Sequence, residues 1–301
     1  AYCLPNGYKI DKLSDCQPDL SLSEIENLLS GFRRLGFRKV RLTGGEPTLR
    51  RDIVEIVALA KNKGFETVCL STNGYRLLNL LEPLKAAGLD QINISIDSLD
   101  PKKFALLSGK DCGDQVILAT HKAVAMNFRK VKVNAVLLRE INDREFPSFL
   151  SWVQSTPISL RFIELMPTNE NREFFKKHHF RAQIWLDSLK QQGWTEITKS
   201  KESGTAVEFS HPSSKGEIGF ITPFQSTFCN SCNRLRVSSR GALRLCLFGQ
   251  GDLPLRSLLK RGDQTSSLMT AIEEAVLNKK QAHNLKQGDS GDTRTLSSIG
   301  G

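Results

Sequence analysis

A strand-then-helix unit recurs through the first half of this 301-residue chain, and it restricts the fold more than any other feature. Residues 39–43 have the alternation of a strand, and 52–63 follow as a helix with Ile53, Ile56, Val57 and Ala60 on one face. Further strands at 68–71, 91–96, 131–137 and 160–164 alternate with helical stretches that end near Gly88, begin at Asp114 and cover 146–153. Ahead of them, 21–35 opens on a capping serine, Ser21, and carries Ile25, Leu28, Leu29 and Phe32 at helical spacing. Units of roughly 25 to 40 residues have the length of βα repeats, which build a parallel sheet, open or curled into a barrel. In either form ligands sit at the carboxyl ends of the strands. The unusual residues stand there: Thr43-Gly44-Gly45-Glu46-Pro47, Ser71-Thr72-Asn73-Gly74, Ser95-Ile96-Asp97 and Glu164-Leu165-Met166-Pro167.

After about residue 170 the pattern changes. A charged helical stretch leads to short β-like runs at 207–210 and 216–221, then to a cysteine segment. Cys229 and Cys232 form a C-x2-C pair, and thirteen residues separate Cys232 from Cys246. Alternating runs at 234–237 and 242–247 flank Ser239-Arg240, which reads as a two-residue hairpin turn. If Ser238 faces Gly241, Cys232 falls opposite Leu247, and the hairpin folds the third thiol back onto the first two. Three thiolates leave one position of a metal centre open. A structural zinc site wants a fourth ligand, for which His211 is the nearest histidine. On spacing alone zinc and iron–sulfur stand as equal alternatives.

The net charge of +10 suits a polyanionic partner. With no Lys/Arg block and few tyrosines, a small phosphate-bearing ligand fits better than a polymer. No apolar run approaches membrane-spanning length. Seven cysteines, an odd number in a chain too long for a disulfide scaffold, read as thiols kept reduced for metal.

Arg234 and Arg236 alternate on one predicted strand directly after the second thiol. An isolated pair of this kind is usually solvated, but beside an open metal position it reads as a set of donors to phosphate oxygens. The paired glycines of the first loop leave backbone exposed, and Glu46 supplies a carboxylate that could grip an ammonium group. Cys69, inside an apolar strand, reads as core, and His178-His179 as exposed surface. The polar, Gly/Ser-rich final twenty or so residues read as a flexible tail.

Tyr2-Cys3-Leu4-Pro5, Gly44-Gly45-Glu46-Pro47, Ser71-Thr72-Asn73-Gly74 and Asn93-Ile94-Ser95-Ile96-Asp97 resemble successive landmarks of radical S-adenosylmethionine enzymes. With residues 161–166, the cysteine hairpin and its Asn-Arg-Leu-Arg, and the terminal Ile-Gly-Gly, the chain resembles the GTP 3′,8-cyclase family of that superfamily, over nearly all its length. The resemblance implies an α/β fold: a partial (β/α)6 barrel over 1–170, closed by a β-containing extension over 171–301. It implies two [4Fe–4S] clusters and S-adenosylmethionine. It also implies conversion of GTP to 3′,8-cyclo-7,8-dihydro-GTP, the first step of molybdenum-cofactor synthesis. A 5′-deoxyadenosyl radical would take the C3′ hydrogen and C3′ would attack C8.

Carried over by position, Cys3 matches a thiol of the first cluster, and Cys229, Cys232 and Cys246 those of the second. Tyr2, Gly45, Ser95 and Met166 match S-adenosylmethionine contacts. Arg41, Thr72, Lys132, Arg161, Arg234, Leu235 and Arg236 match GTP contacts, and Gly300-Gly301 a tail that reaches the active site. The implied partners are GTP, an electron donor such as flavodoxin or ferredoxin, the downstream cyclic pyranopterin monophosphate synthase and a second copy of the chain. Nucleic acid and membrane are not among them, and the cytoplasm is the implied location. The first cluster needs C-x3-C-x2-C, of which the chain holds Cys3 alone; its partners are expected upstream of Ala1, and the chain as written is expected to be inactive. Two rivals remain: another radical S-adenosylmethionine enzyme with an auxiliary cluster, and a zinc-stabilised nucleic-acid-binding module.

Overall fold

The structure is a computed structural model that describes residues 18–198, 204–225 and 228–296. Tyr2, Cys3, Cys16, Gly300 and Gly301 lie outside the described residues. Helix α1 (Leu22–Arg34) starts where Ser21 and Glu24 cap each other reciprocally, side chain to backbone amide in both directions. Strands and helices then alternate: β1 (Lys39–Leu42), α2 (Ile53–Asn62), β2 (Thr67–Thr72), α3 (Leu77–Ala86), β3 (Gln91–Ser95). Next come α4 (Pro101–Ser108), α5 (Gly113–Ala125), β4 (Lys130–Leu137), α6 (Phe146–Ser155) and β5 (Ser159–Glu164). Periodicity alone had passed over α4, although Asp100 caps it, Pro101 opens it and Gly109 closes it at φ +76°.

Helices α7 (Arg172–His178) and α8 (Gln183–Gln191) lead to β6 (Thr195–Glu196), β7 (Val207–Ser210) and β8 (Glu217–Ile221). The sheet runs β1-β2-β3-β4-β5-β8-β7-β6. Strands β1 to β5 and β8 are parallel neighbours, six in all, and β7 and β6 extend the edge antiparallel. Val131 and Val133 of β4, Leu160 and Phe162 of β5, and Ile218 and Phe220 of β8 are buried against helices. Phe162 meets Phe149 of α6 edge-on at 5.4 Å.

A second, smaller sheet of β9 (Arg236–Val237), β10 (Ala242–Arg244) and β11 (Leu253–Pro254) follows, then α9 (Thr265–Leu277). Leu243, Leu255, Leu259, Leu268 and Ile272 form its core with Leu20, against α1. The hairpin register differs by one residue from expectation: Val237 pairs with Leu243 and Arg236 with Arg244. The cause is Gly241 at φ +84°, which adds a third loop residue, so Ser238 meets Ala242 instead of Gly241. The Ser238 hydroxyl takes the Ala242 amide at 3.1 Å and completes the turn.

The flexible tail is also corrected over its described part. Ser290, Thr293 and Thr295 are buried. The Thr293 carbonyl accepts the Asn169 amide at 3.0 Å, and Arg244 pairs with Asp292 at 2.9 Å. Polar composition misled because these side chains bond to other loops instead of water. No helix among the described residues is long and apolar enough to cross a membrane.

Candidate functional site

Side chains alternate across a strand, and here one set carries most of the polar residues: the odd-numbered ones of β1, β2, β3 and β5 and the even-numbered ones of β4. The register aligns Arg41 with Cys69 and Cys69 with Gln91. One step further along it aligns Asn93 with Lys132, then Asn134 with Arg161 and Arg161 with Gly219. One face of the sheet is thus an apolar floor under helices, and the other a surface of Lys, Arg, Asn, Gln, Ser and Cys. Lys132 is 5% exposed and its ammonium donates to the Gln91 amide oxygen at 3.1 Å. Burial, together with Arg161, Lys39 and Arg41, pushes its pKa down to about 6.

Arg41, Lys132, Arg161, Arg234 and Arg236 come together as one cationic set, although the last two belong to the cysteine unit. Burial pushes Arg234 down to about 10, helped by Arg41, Arg236 and Arg161. Arg236 is likewise lowered by burial and lies within the field of Arg41, while the Cys232 and Cys246 thiols pull it the other way. Arg236 therefore stands between the cationic set and two of the three cysteines. Arg234 precedes β9 instead of lying in it, and its carbonyl is held by Lys279 at 2.9 Å. Leu235 packs its side chain on the small apolar core.

The buried Arg41 Nε, Asn93 Oδ1 and Asn134 Oδ1 have no hydrogen-bond partner. Buried polar atoms are nearly always paired, so three orphans on one polar face mark where a polar ligand belongs. Around the carboxyl ends of the strands, a side chain at Gly44 or Gly45 would meet nothing within 4 Å, so the loop is open there. Ser95 is exposed at the end of β3, and Met166 is half-buried after β5. Glu46 is already engaged within the chain. Its carboxylate accepts from the Thr48 amide (3.0 Å), the Thr72 hydroxyl (2.8 Å) and the Asn73 amide (2.7 Å), tying the first two strand-end loops together. Thr72, in the alternate set from Cys69 of the same strand, is thereby buried with Glu46, apart from the cationic row.

Cys229, Cys232 and Cys246 are free and half-buried. Cys229 and Cys232 close one turn, the Cys232 amide donating to the Cys229 carbonyl at 3.0 Å. Among the described residues, no three His, Cys, Asp or Glu side chains are gathered around a single ion position. His211 is not a fourth ligand to the cysteines. It bonds Ser213 at 2.7 Å and packs on Trp194 at 5.6 Å. His179 is half-buried against Phe175 and Phe224, not fully exposed as the basic run around it suggests. The histidine near the thiols is His283, whose ring lies between Phe228 and Phe248, neighbours in sequence of Cys229 and Cys246. Its Nε2 is buried and unpaired. Three free thiols, with the Arg236 guanidinium in the field of two of them, have the chemistry an iron–sulfur cluster takes. Sequence reasoning missed Gln91, Asn134 and His283; the parity of the strands could have found the first two.

A parallel α/β sheet with a polar inner face and a thiol unit beside it is the architecture of this chain, and the family models place it among radical S-adenosylmethionine proteins. A family model described as "Radical SAM superfamily" matches residues 1–153, and one described as "Molybdenum Cofactor Synthesis C" matches 158–285. The structure of Streptococcus suis SuiB bound to S-adenosylmethionine aligns over 94% of this chain and 72% of its own, with TM-score 0.55 at 10% identity, a likeness of fold. Curated proteins named GTP 3′,8-cyclase, from Cronobacter sakazakii and Yersinia pestis, are 47% and 46% identical over all 301 residues, which cover 91% of each relative. The chain belongs to the GTP 3′,8-cyclase family.

Proposed function

We propose that this chain cyclises GTP as its family does, joining C3′ to C8 after loss of a hydrogen atom from C3′, at the first step of molybdenum-cofactor synthesis. The observation that carries the reading is the convergence of Arg41, Lys132 and Arg161 from the sheet with Arg234 and Arg236 from the cysteine unit. Four arginines and a lysine that can take up a proton, gathered from two parts of the chain, suit a triphosphate. Membership of the superfamily implies a [4Fe–4S] cluster and S-adenosylmethionine, which when bound supply one-electron chemistry. In this reading Gly45, Ser95 and Met166 border S-adenosylmethionine at the strand ends, with Tyr2 and Cys3 contributed by the preceding segment. Cys229, Cys232 and Cys246 would hold the second cluster beside the bound nucleotide.

The chain's own residues bind and orient. Arginines hold phosphate oxygens in bidentate fashion, and Lys132, nearly neutral in the empty pocket, gains its proton as the polyanion arrives. Residues 1–170 act as the barrel and 171–301 as the extension that closes it and adds the parallel strand β8. Thr72 reaches the ligand only through the loop that Glu46 braces, and Leu235 only through its backbone. A flavodoxin or ferredoxin as donor, the cyclic pyranopterin monophosphate synthase as recipient and a homodimer in the cytoplasm complete the proposal.

The test is anaerobic iron, sulfide and zinc analysis of reconstituted protein, paired with GTP titration of wild type, Arg234→Ala and Arg236→Ala. Iron and sulfide without zinc, with GTP affinity reduced about tenfold in each variant and cluster content unchanged, supports the reading. Stoichiometric zinc without sulfide, and salt-sensitive binding of nucleic acid in place of GTP, would replace it with the nucleic-acid-binding module.

A further inference from the structure

Within the cationic face stands a carboxylate, that of Glu208 on β7; Glu217 of β8, at the start of the same face, is taken by Lys130 at 2.6 Å. The register places Arg161 of β5 and Glu208 of β7 on either side of Gly219 in β8. Residues two strands apart are separated by roughly 10 Å of backbone, so their side chains must cross the strand between them to touch. Here they do, because nothing stands at Gly219. A Cβ there would come to 3.2 Å from Glu208 Cγ and 3.4 Å from Arg161 Cγ. Over that gap Arg161 donates to Glu208 Oε1 from Nη2 at 2.6 Å and from Nε at 3.1 Å. The Ser159 hydroxyl adds a contact to the same oxygen at 3.4 Å, and Lys130 stands 4.0 Å from the other. Arg161 is buried and Glu208 half-buried, their side chains 9% and 18% exposed. Burial alone would raise the Glu208 pKa, but Arg161, Lys130 and Lys132 outweigh it and hold the carboxyl below its ordinary value.

A buried cation without a counter-charge is costly, and several together repel one another as well. The pocket must nevertheless exist folded before any phosphate arrives. We infer that Glu208 is the pocket's resident counter-ion: it compensates Arg161 in the empty protein, competes with phosphate for that guanidinium, and so biases the pocket toward ligands carrying several negative charges. Two phosphate oxygens can satisfy Arg161 as Glu208 does, but a ligand must offer enough charge to outweigh a carboxylate already in place. The inference rests on Arg161 belonging to the phosphate-binding set.

The test uses the full chain at fixed ionic strength, wild type and Glu208→Gln, titrated with inorganic tripolyphosphate, GTP and guanosine, with melting followed at each ligand concentration. Glutamine keeps the shape and an acceptor oxygen and removes the charge. The expected result is a lower melting temperature without ligand, about fivefold tighter binding of tripolyphosphate and GTP, an unchanged guanosine response, and a larger ligand-induced rise in melting temperature. A role in folding alone would lower melting equally with and without ligand and leave affinities unmoved, which overturns the inference. Weaker tripolyphosphate binding in the variant also overturns it, since Glu208 would then be orienting Arg161 instead of competing for it. If tripolyphosphate tightens while GTP binds neither protein, the counter-ion stands and the GTP reading falls. Should Glu208→Gln not fold, Gly219→Ala decides: its methyl group spreads the pair with both charges kept, and tripolyphosphate is expected to tighten by a smaller factor. No tightening there overturns the proposal.

Discussion

The eight-stranded sheet and the cysteine-bearing unit are held by different forces. The sheet closes on a continuous apolar core in which Phe149, Phe162, Phe209 and Phe220 are fully buried. The cysteine unit has only the small leucine cluster around Leu243 and Leu268, and adds polar ties. Arg244 is bonded to Asp252 at 2.6 Å, to Asp292 at 2.9 Å and to Thr293 at 3.2 Å, binding β10 to the chain's late segment. A scaffold secured by its outer apolar face can carry an inner face crowded with like charge. The smaller unit has no such reserve, so the position of its arginines and thiols depends on ion pairs and on whatever the thiols bind.

The sharpest way to break this contrast is in the large core. Phe162→Ala is expected to cost about 4 kcal/mol and to lower the urea midpoint of the whole protein, because it empties a site ringed by aromatics. In the cysteine unit Arg244→Ala is expected to cost about 2 kcal/mol, discounted for the partial exposure of Asp252 and Asp292. Its effect should be local: amide exchange and proteolysis rise at residues 289–296 while the sheet melts as before. Equal destabilisation of both regions would show that they unfold as one unit.

The inner face is expected to reveal itself through pH. The folded-state pKa of Lys132, near 6, lies below its ordinary value near 10.5, so between those limits the unfolded chain binds a proton that the folded chain does not. Stability therefore rises with pH through that window, by at most about 1.4 kcal/mol per unit from this group, and the full cost is present below pH 6. Lys132→Met should remove that slope, measured as the difference in denaturation free energy between variant and wild type from pH 6 to pH 9. Calorimetry in buffers of different ionisation heat should show proton uptake when tripolyphosphate binds wild type, and less in the variant. The smallest effect is expected at the turn: Ser238→Ala removes the hydroxyl that takes the Ala242 amide and should cost about 1 kcal/mol, read as a lower melting temperature of the cysteine unit.

The βα repeat, the order of strands along the chain and the residues at their carboxyl ends were legible in the sequence, because apolar periodicity follows directly from which face of an element is buried. Strands 39–42 and 207–210 lie where alternation puts them, and the runs between the second and third thiols pair as the antiparallel hairpin their alternation suggests. Three things waited for the tertiary structure. Gly241 reset the hairpin register, since a positive φ adds a loop residue that composition does not count. The segment around Thr293 is bound instead of free, because polar side chains find partners far away in sequence. Glu208 meets Arg161 only because β8 inserts between β5 and β7 and offers a glycine at the crossing. Periodicity is local and can be read along the chain, whereas charge compensation depends on which strands become neighbours, and that is decided only when the sheet is assembled.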